Sequence, residues 1–121
     1  MSLQAYTRID SGVAVIELEG NVTLGKGSSL MRDAIHDALG KGHKNILLDL
    51  ENVGYIDSAG LGELVGCNAL ADAKGADIKL VHLQKKVKGL LQITKLITIF
   101  ETFEDENLAV KSFQGVNSAL A

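Results

Sequence analysis

Between Leu48 and Leu64 the chain reads LDLENVGYIDSAGLGEL, and few folds accommodate that order of residues. The continuous apolar run from Ile46 to Leu50 reads as a short strand of the kind covered on both faces. A short loop then leads to Asp57 and Ser58, where a helix opens with Ala59. This places one hydroxyl at a helix N-terminus, beside a carboxylate and among residues too small to cover it. Such a terminus presents unpaired N–H groups and a partial positive charge, and so can host an added phosphate. The simpler alternative is that Ser58 is the N-cap, a common role for serine.

The rest of the chain supplies partners for that strand and helix. Leu3 to Ile9 and Val13 to Glu19 read as strands joined by a turn at Asp10-Ser11-Gly12. In the second, Ala14, Ile16 and Leu18 alternate with Glu17 and Glu19, the pattern of a half-exposed antiparallel strand. Gly20-Asn21 breaks the run, Val22 to Leu24 reads as a third short strand, and Gly25-Lys26-Gly27 as a loop. Ser28 or Ser29 can cap a helix to about Leu39, with Met31, Ile35, Ala38 and Leu39 as its apolar stripe. The helix at Ser58 continues to Lys74, where Gly75 stops it.

Ile78 to Leu83 is a further strand, Lys86 to Ile93 a short helix and Leu96 to Phe100 a strand. Asp105 can cap a last helix to about Phe113, and Gly115 to Ala121 reads as a loose tail. The expected fold is α/β: a mixed β-sheet with an antiparallel N-terminal portion and about four α-helices. Crossovers from Ser28 to Leu83 should be right-handed. The whole length, 1–121, is expected to be one domain.

Composition removes several functions. The net charge is −3, and Lys85, Lys86 and Lys88 form the densest basic group, so there is no electrostatic footprint for nucleic acid. Cys67 is the sole cysteine and falls among apolar residues of the second helix, as an inert buried thiol would. The N-terminus does not read as a signal peptide, and no stretch approaches the ~20 apolar residues of a membrane span. The expectation is a soluble cytoplasmic protein without cofactors.

Catalytic patterns are also missing. His36, His43 and His82 lack ligand spacing, so no metal site is expected, and Gly-x-Ser-x-Gly does not occur. Gly20, Gly25 and Lys26 approach P-loop spacing, but Gly27 stands where a magnesium-binding hydroxyl is needed. Leu47-Leu48-Asp49-Leu50 resembles the acceptor strand of a phospho-aspartate receiver, but the paired acids a receiver needs after its first strand are replaced by Asp10-Ser11-Gly12.

Ile56-Asp57-Ser58-Ala59-Gly60-Leu61-Gly62, with the order of elements, resembles the STAS domains, and among them the bacterial anti-sigma factor antagonists. The likeness takes in Leu18-Glu19-Gly20, the Leu47-to-Leu50 strand, Gly75 with the Ile78-to-Leu83 strand, and Phe100-Glu101. It implies that Ser58 is phosphorylated by an anti-sigma factor that is also a serine protein kinase. The unmodified antagonist binds that factor and releases sigma, and a metal-dependent serine phosphatase restores the serine. The alternative within the family is a STAS scaffold subunit of a larger signalling or transport assembly, with Ser58 only a cap. Many members carry an Asp soon after the strand-ending glycine, whereas this chain reads Gly20-Asn21-Val22-Thr23-Leu24-Gly25.

The residues around Ser58 suit a reversible switch. An inward stripe of Leu61, Leu64, Val65 and Ala71, with Cys67 or Asn68 at its margin, is expected on the second helix. Gly62 and Gly66 lie four apart and leave the other side nearly flat, either for packing inside the domain or for docking. The expected partner-binding set is Asp57, Ser58, Ala59, Gly60, Gly62, Glu63 and Gly66, with Asn21 and Thr23.

Overall fold

The computed structural model describes residues 3–120, with side chains through 113. Five strands, β1 (Gln4–Asp10), β2 (Val13–Val22), β3 (Asn45–Ile56), β4 (Asp77–Val81) and β5 (Thr102–Phe103), lie in one sheet in the order of the sequence. β1 and β2 form an antiparallel hairpin, and each later neighbour is parallel. The hairpin turns on Ser11 and Gly12, both at positive φ (53° and 84°), which matches the type I′ geometry that suits strand twist.

Four helices complete the fold: α1 (Lys26–Gly40), α2 (Ser58–Ala73), α3 (Lys85–Ile93) and α4 (Glu106–Leu120). Because the parallel strands follow one another in order, crossovers of one hand place α1, α2 and α3 on the same face. There Met31, Ile35, Leu64, Cys67, Val87 and Leu91 close over Ala14, Ile16, Leu48 and Leu50. On the other face Ala109, Val110 and Phe113 of α4 cover Val13, Val15, Leu47 and Val81.

This second layer corrects the reading of Val13 to Glu19 as half-exposed. Val13, Ala14, Val15 and Ile16 are all fully buried, because β2 lies between β1 and β3 with helices on both faces. The tail from Gly115 is also different, since α4 continues to Leu120. Leu96 to Phe100 contains a 3₁₀ turn (Leu96–Thr98), and the last strand is the two-residue β5 further on.

Two strands run longer than the apolar pattern indicates. β2 passes through Gly20 and Asn21 to Val22, where a strand break is expected, by shifting register between Glu17 and Glu19 and again between Gly20 and Val22. β3 continues past Leu50 to Ile56, and Val22 pairs with Ile56. The carboxyl ends of β2 and β3 therefore meet directly beneath the start of α2.

Candidate functional site

At that junction Asp57 is the N-cap of α2 and Ser58 is its first helical residue. The alternative that Ser58 is the N-cap is thus corrected. Asp57 Oδ1 accepts the Gly60 N–H at 2.9 Å, and its backbone carbonyl accepts the Leu61 N–H at 2.9 Å. Oδ2 accepts the Leu24 N–H at 2.9 Å and so ties the β2–α1 loop to the helix. These two backbone donors, Gly60 first, hold the Asp57 carboxyl below its ordinary pKa.

Glycine is required at the starts of both helices because their first turns press on the end of β2. A Cβ at Gly60 would stand 2.3 Å from the Val22 carbonyl oxygen and 2.8 Å from Ile56 Cγ2. One at Gly27 would stand 2.7 Å from the Asn21 carbonyl oxygen. The backbone adds its own ties: Asp57 N–H donates to Val22 O at 3.2 Å, and Ser28 N–H to Thr23 O at 2.8 Å.

Over this fixed base the surface is open. Ser58, Gly62, Val65, Gly66 and Ala69 are exposed and follow a helical spacing that puts them on one face of α2. Among the described residues a Cβ at Gly62 or Gly66 would meet nothing within 4 Å, so there these glycines are not packing devices. Leu24, 80% exposed, stands on the loop that Asp57 tethers.

The expected partner-binding residues divide accordingly. Ser58, Gly62, Gly66 and Asn21 are exposed, and Thr23 and Ala59 are half-buried. Gly60 is buried and serves the fold, and Asp57 spends both carboxylate oxygens inside the chain. Glu63 is half-buried and reaches back to Arg32 of α1 at 3.6 Å. Val65 faces outward, and Cys67 takes the inward place assigned to it. Burial first, and then the Glu63 charge, push the Cys67 thiol up to about 11.

Two alternative chemistries fall away. Gly20 lies within the β2–β3 ladder opposite Val53, and only Thr23, Leu24 and Gly25 separate the end of β2 from α1, too short a connection to cradle a phosphate as a P-loop does. The opening hairpin and sheet order are not those of a receiver, and Asp49 lies within β3 facing the α4 side. Its Oδ1 accepts the Glu51 N–H at 3.1 Å and lies 3.1 Å from His82 Nδ1.

Asp49, Glu51 and His82 each bring one ligand-type atom within 4.8 Å of the others, a grouping the scattered histidine positions do not suggest. The parallel register of β3 and β4, which sets Asp49 opposite Val81, creates it.

Comparison with known proteins agrees with this architecture. Residues 4–109 match the STAS domain family, and the chain belongs to that family. Over 118 residues it is 26% identical to the anti-sigma F factor antagonist of Paenibacillus polymyxa, covering 97% of this chain and 100% of that one. A proposed anti-sigma factor antagonist from Thermotoga maritima superposes with a TM-score of 0.82 at 25% identity, over 89% of this chain and 92% of the other. SpoIIAA in its unphosphorylated form shares the fold with a TM-score of 0.67 at 20% identity, over 94% of this chain and 99% of the other. Among the described residues no helix is long and apolar enough to cross a membrane.

Proposed function

We propose that this chain is an anti-sigma factor antagonist, a regulatory binding module of one domain acting in the cytoplasm and performing no catalysis itself. In its unmodified form it docks on an anti-sigma factor and frees the sigma factor. Phosphorylation of Ser58 by that anti-sigma factor, acting as a serine kinase, ends docking, and a metal-dependent serine phosphatase reverses the change.

The observation that carries the reading is the division of labour at the head of α2. Asp57 caps the helix and anchors the loop, so Ser58 is exposed beside an open, nearly flat helix face and owes the fold no cap. A phosphate adds about −1.5 to −2 charges at neutral pH. The helix N-terminus tolerates that charge within the domain, whereas a closely fitted interface would have to desolvate it beside the Asp57 carboxylate. The domain then stays folded while binding is lost.

Two further facts support the reading. The relative from Paenibacillus polymyxa, matched along its entire length, is named for antagonism of anti-sigma F. SpoIIAA, which shares this fold, is described in both an unphosphorylated and a phosphorylated form.

The test is affinity capture from the source cell with wild-type and Ser58→Asp baits, followed by incubation of the captured kinase with ATP and peptide mass spectrometry. Retention of an anti-sigma factor by the wild type alone, and phosphate at Ser58, are expected. Equal retention by both baits, or phosphate chiefly at Ser28, Ser29 or Thr94, would overturn the reading. Capture of a large signalling or transport assembly instead would favour a scaffold subunit.

A further inference from the structure

The described part of the sheet has two edges, and they are unequal. β5 spans two residues, while β1 spans seven and pairs with β2 in an unbroken register. Folds commonly protect a long edge with proline, lysine, a bulge or a very short strand. β1, with the sequence QAYTRID, has none of these, and of its two charges Asp10 stands at the last position, beside the turn. Its one cation, Arg8, is held back over the sheet by Glu17 at 2.8 Å and by both oxygens of Glu106. Tyr6 and Ile9 are 50% and 55% exposed.

The hairpin turn determines which backbone groups this edge offers. A type I′ turn at Ser11-Gly12 closes on a hydrogen-bonded pair, Asp10 with Val13. Hydrogen-bonded and non-hydrogen-bonded pairs alternate along an antiparallel ladder, so Arg8, Tyr6 and Gln4 also bond inward to β2. Ala5, Thr7 and Ile9 therefore direct their N–H and C=O groups outward.

We propose that the β1 edge is a homodimer interface, in which the β1 strands of two copies pair antiparallel about a two-fold axis at Thr7. The sequence is self-complementary in this register. Thr7 meets Thr7, Ala5 meets Ile9, Tyr6 meets Arg8 and Gln4 meets Asp10. All three outward-facing residues form hydrogen-bonded pairs, giving about six bonds between the copies.

The side chains favour the same register. Each exposed Ile9 gains an apolar neighbour in Ala5 of the other copy. In this register Gln4, whose amide nitrogen is a donor, stands opposite the acceptor Asp10 of the other copy. A slip of the two-fold axis to Arg8 would set Arg8 against Arg8. A slip to Tyr6 would carry Asp10 past the partner strand.

Sedimentation equilibrium across a wide concentration range tests the proposal, with three kinds of variant. Thr7→Pro removes an outward N–H, which an edge strand tolerates without losing a bond to β2. Ile9→Lys puts a charge on the edge. Thr7→Cys places two sulfurs across the axis, with Cα atoms about 5.5 Å apart and within disulfide reach. Ile9→Cys faces Ala5 and has no cysteine opposite, and native Cys67 is buried.

A reversible wild-type dimer is expected. Thr7→Pro and Ile9→Lys should weaken it about tenfold or more with melting temperatures near wild type. Under mild oxidation Thr7→Cys should link into dimers and Ile9→Cys should not. If Thr7→Pro does not fold, Ile9→Lys and the cysteine pair decide alone. A wild type that is monomeric throughout, a dimer unaffected by Ile9→Lys, or linking of Ile9→Cys as readily as Thr7→Cys would overturn the proposal.

Discussion

The Asp57 carboxylate is bonded to the backbone of Leu24, 33 positions earlier in the chain, at 2.9 Å. Its other oxygen accepts the Gly60 N–H at the same distance, so one side chain both starts α2 and holds the loop that leads into α1. Separating these two tasks is a direct test of the site's construction.

Asp57→Asn keeps an oxygen for the Gly60 N–H but turns a donor toward the Leu24 N–H. It should preserve the helix cap while releasing the loop. Amide hydrogen exchange is expected to accelerate at Leu24 much more than within α2. Asp57→Ala should release both and lower the melting temperature further. Equal protection of Leu24 in wild type and Asp57→Asn would show that the loop is held by other means.

Position 58 should matter little to stability. Ser58→Ala is expected to change it by no more than about 0.5 kcal/mol, because the cap belongs to Asp57 and surface changes away from such features are small. Ser58→Asp places a negative charge in the first turn and should be neutral or stabilising by about 0.3–1 kcal/mol. Chemical denaturation of the three proteins checks this. A loss near 1 kcal/mol in Ser58→Ala would return the capping role to the serine.

The glycines of α2 should respond in opposite directions. Gly60→Ala forces a Cβ to 2.3 Å from the Val22 carbonyl and is expected to cost roughly 1–3 kcal/mol, as overpacking does. Gly66→Ala enters open space and should stabilise by about 0.8–1 kcal/mol through helix propensity alone. Gly66→Gln should also keep or raise the melting temperature while weakening partner binding. A melting temperature lowered by Gly66→Gln would remove that face from the docking surface.

Acid should loosen two named places. Asp57 and Glu106 both have lowered pKa values in the fold, Asp57 through the Gly60 and Leu24 N–H groups and Glu106 through Arg8. A lowered folded-state pKa contributes stability that is present above the unfolded value and is lost as pH falls through the folded one. Melting temperature should therefore hold through neutral pH and decline below about pH 4. Asp57→Asn should flatten part of that decline, and an unchanged acid profile would argue against the carboxylate's role.

Cys67 should resist alkylation at neutral pH in the folded protein and react only after denaturation, because the thiol is buried and its pKa is pushed up to about 11. Ready labelling of the native chain by a maleimide would contradict this packing.

Much of this structure is legible in local pattern, and what is not legible has a physical cause. Met31, Ile35, Ala38 and Leu39 mark the buried side of α1 because helical spacing is a property of neighbours. Glu17 made β2 look half-exposed, since the covering helix α4 lies some ninety residues later and nothing near β2 announces it. The register shifts that carry β2 through Gly20 are likewise set by β3.

At the site, the Asp-Ser pair located the helix start, but either residue can cap by type. Only the distances decide for Asp57. Leu24 was missed for the same reason, because its relation to α2 exists only through the Asp57 bond. The reading of Val22 to Leu24 as a third short strand is corrected as well, since Val22 ends β2 and Leu24 lies in the turn that leads into α1.

The placement of the cap on Asp57 has a consequence for variants in living cells. Cellular quality control removes chains according to how often they unfold, so destabilised alleles become scarce. A substitution at Ser58 leaves the folding equilibrium nearly untouched and should escape that surveillance. On the proposed role of Ser58, such an allele would accumulate to normal abundance with its regulatory state fixed, and its phenotype would reflect altered signalling at an unaltered dose.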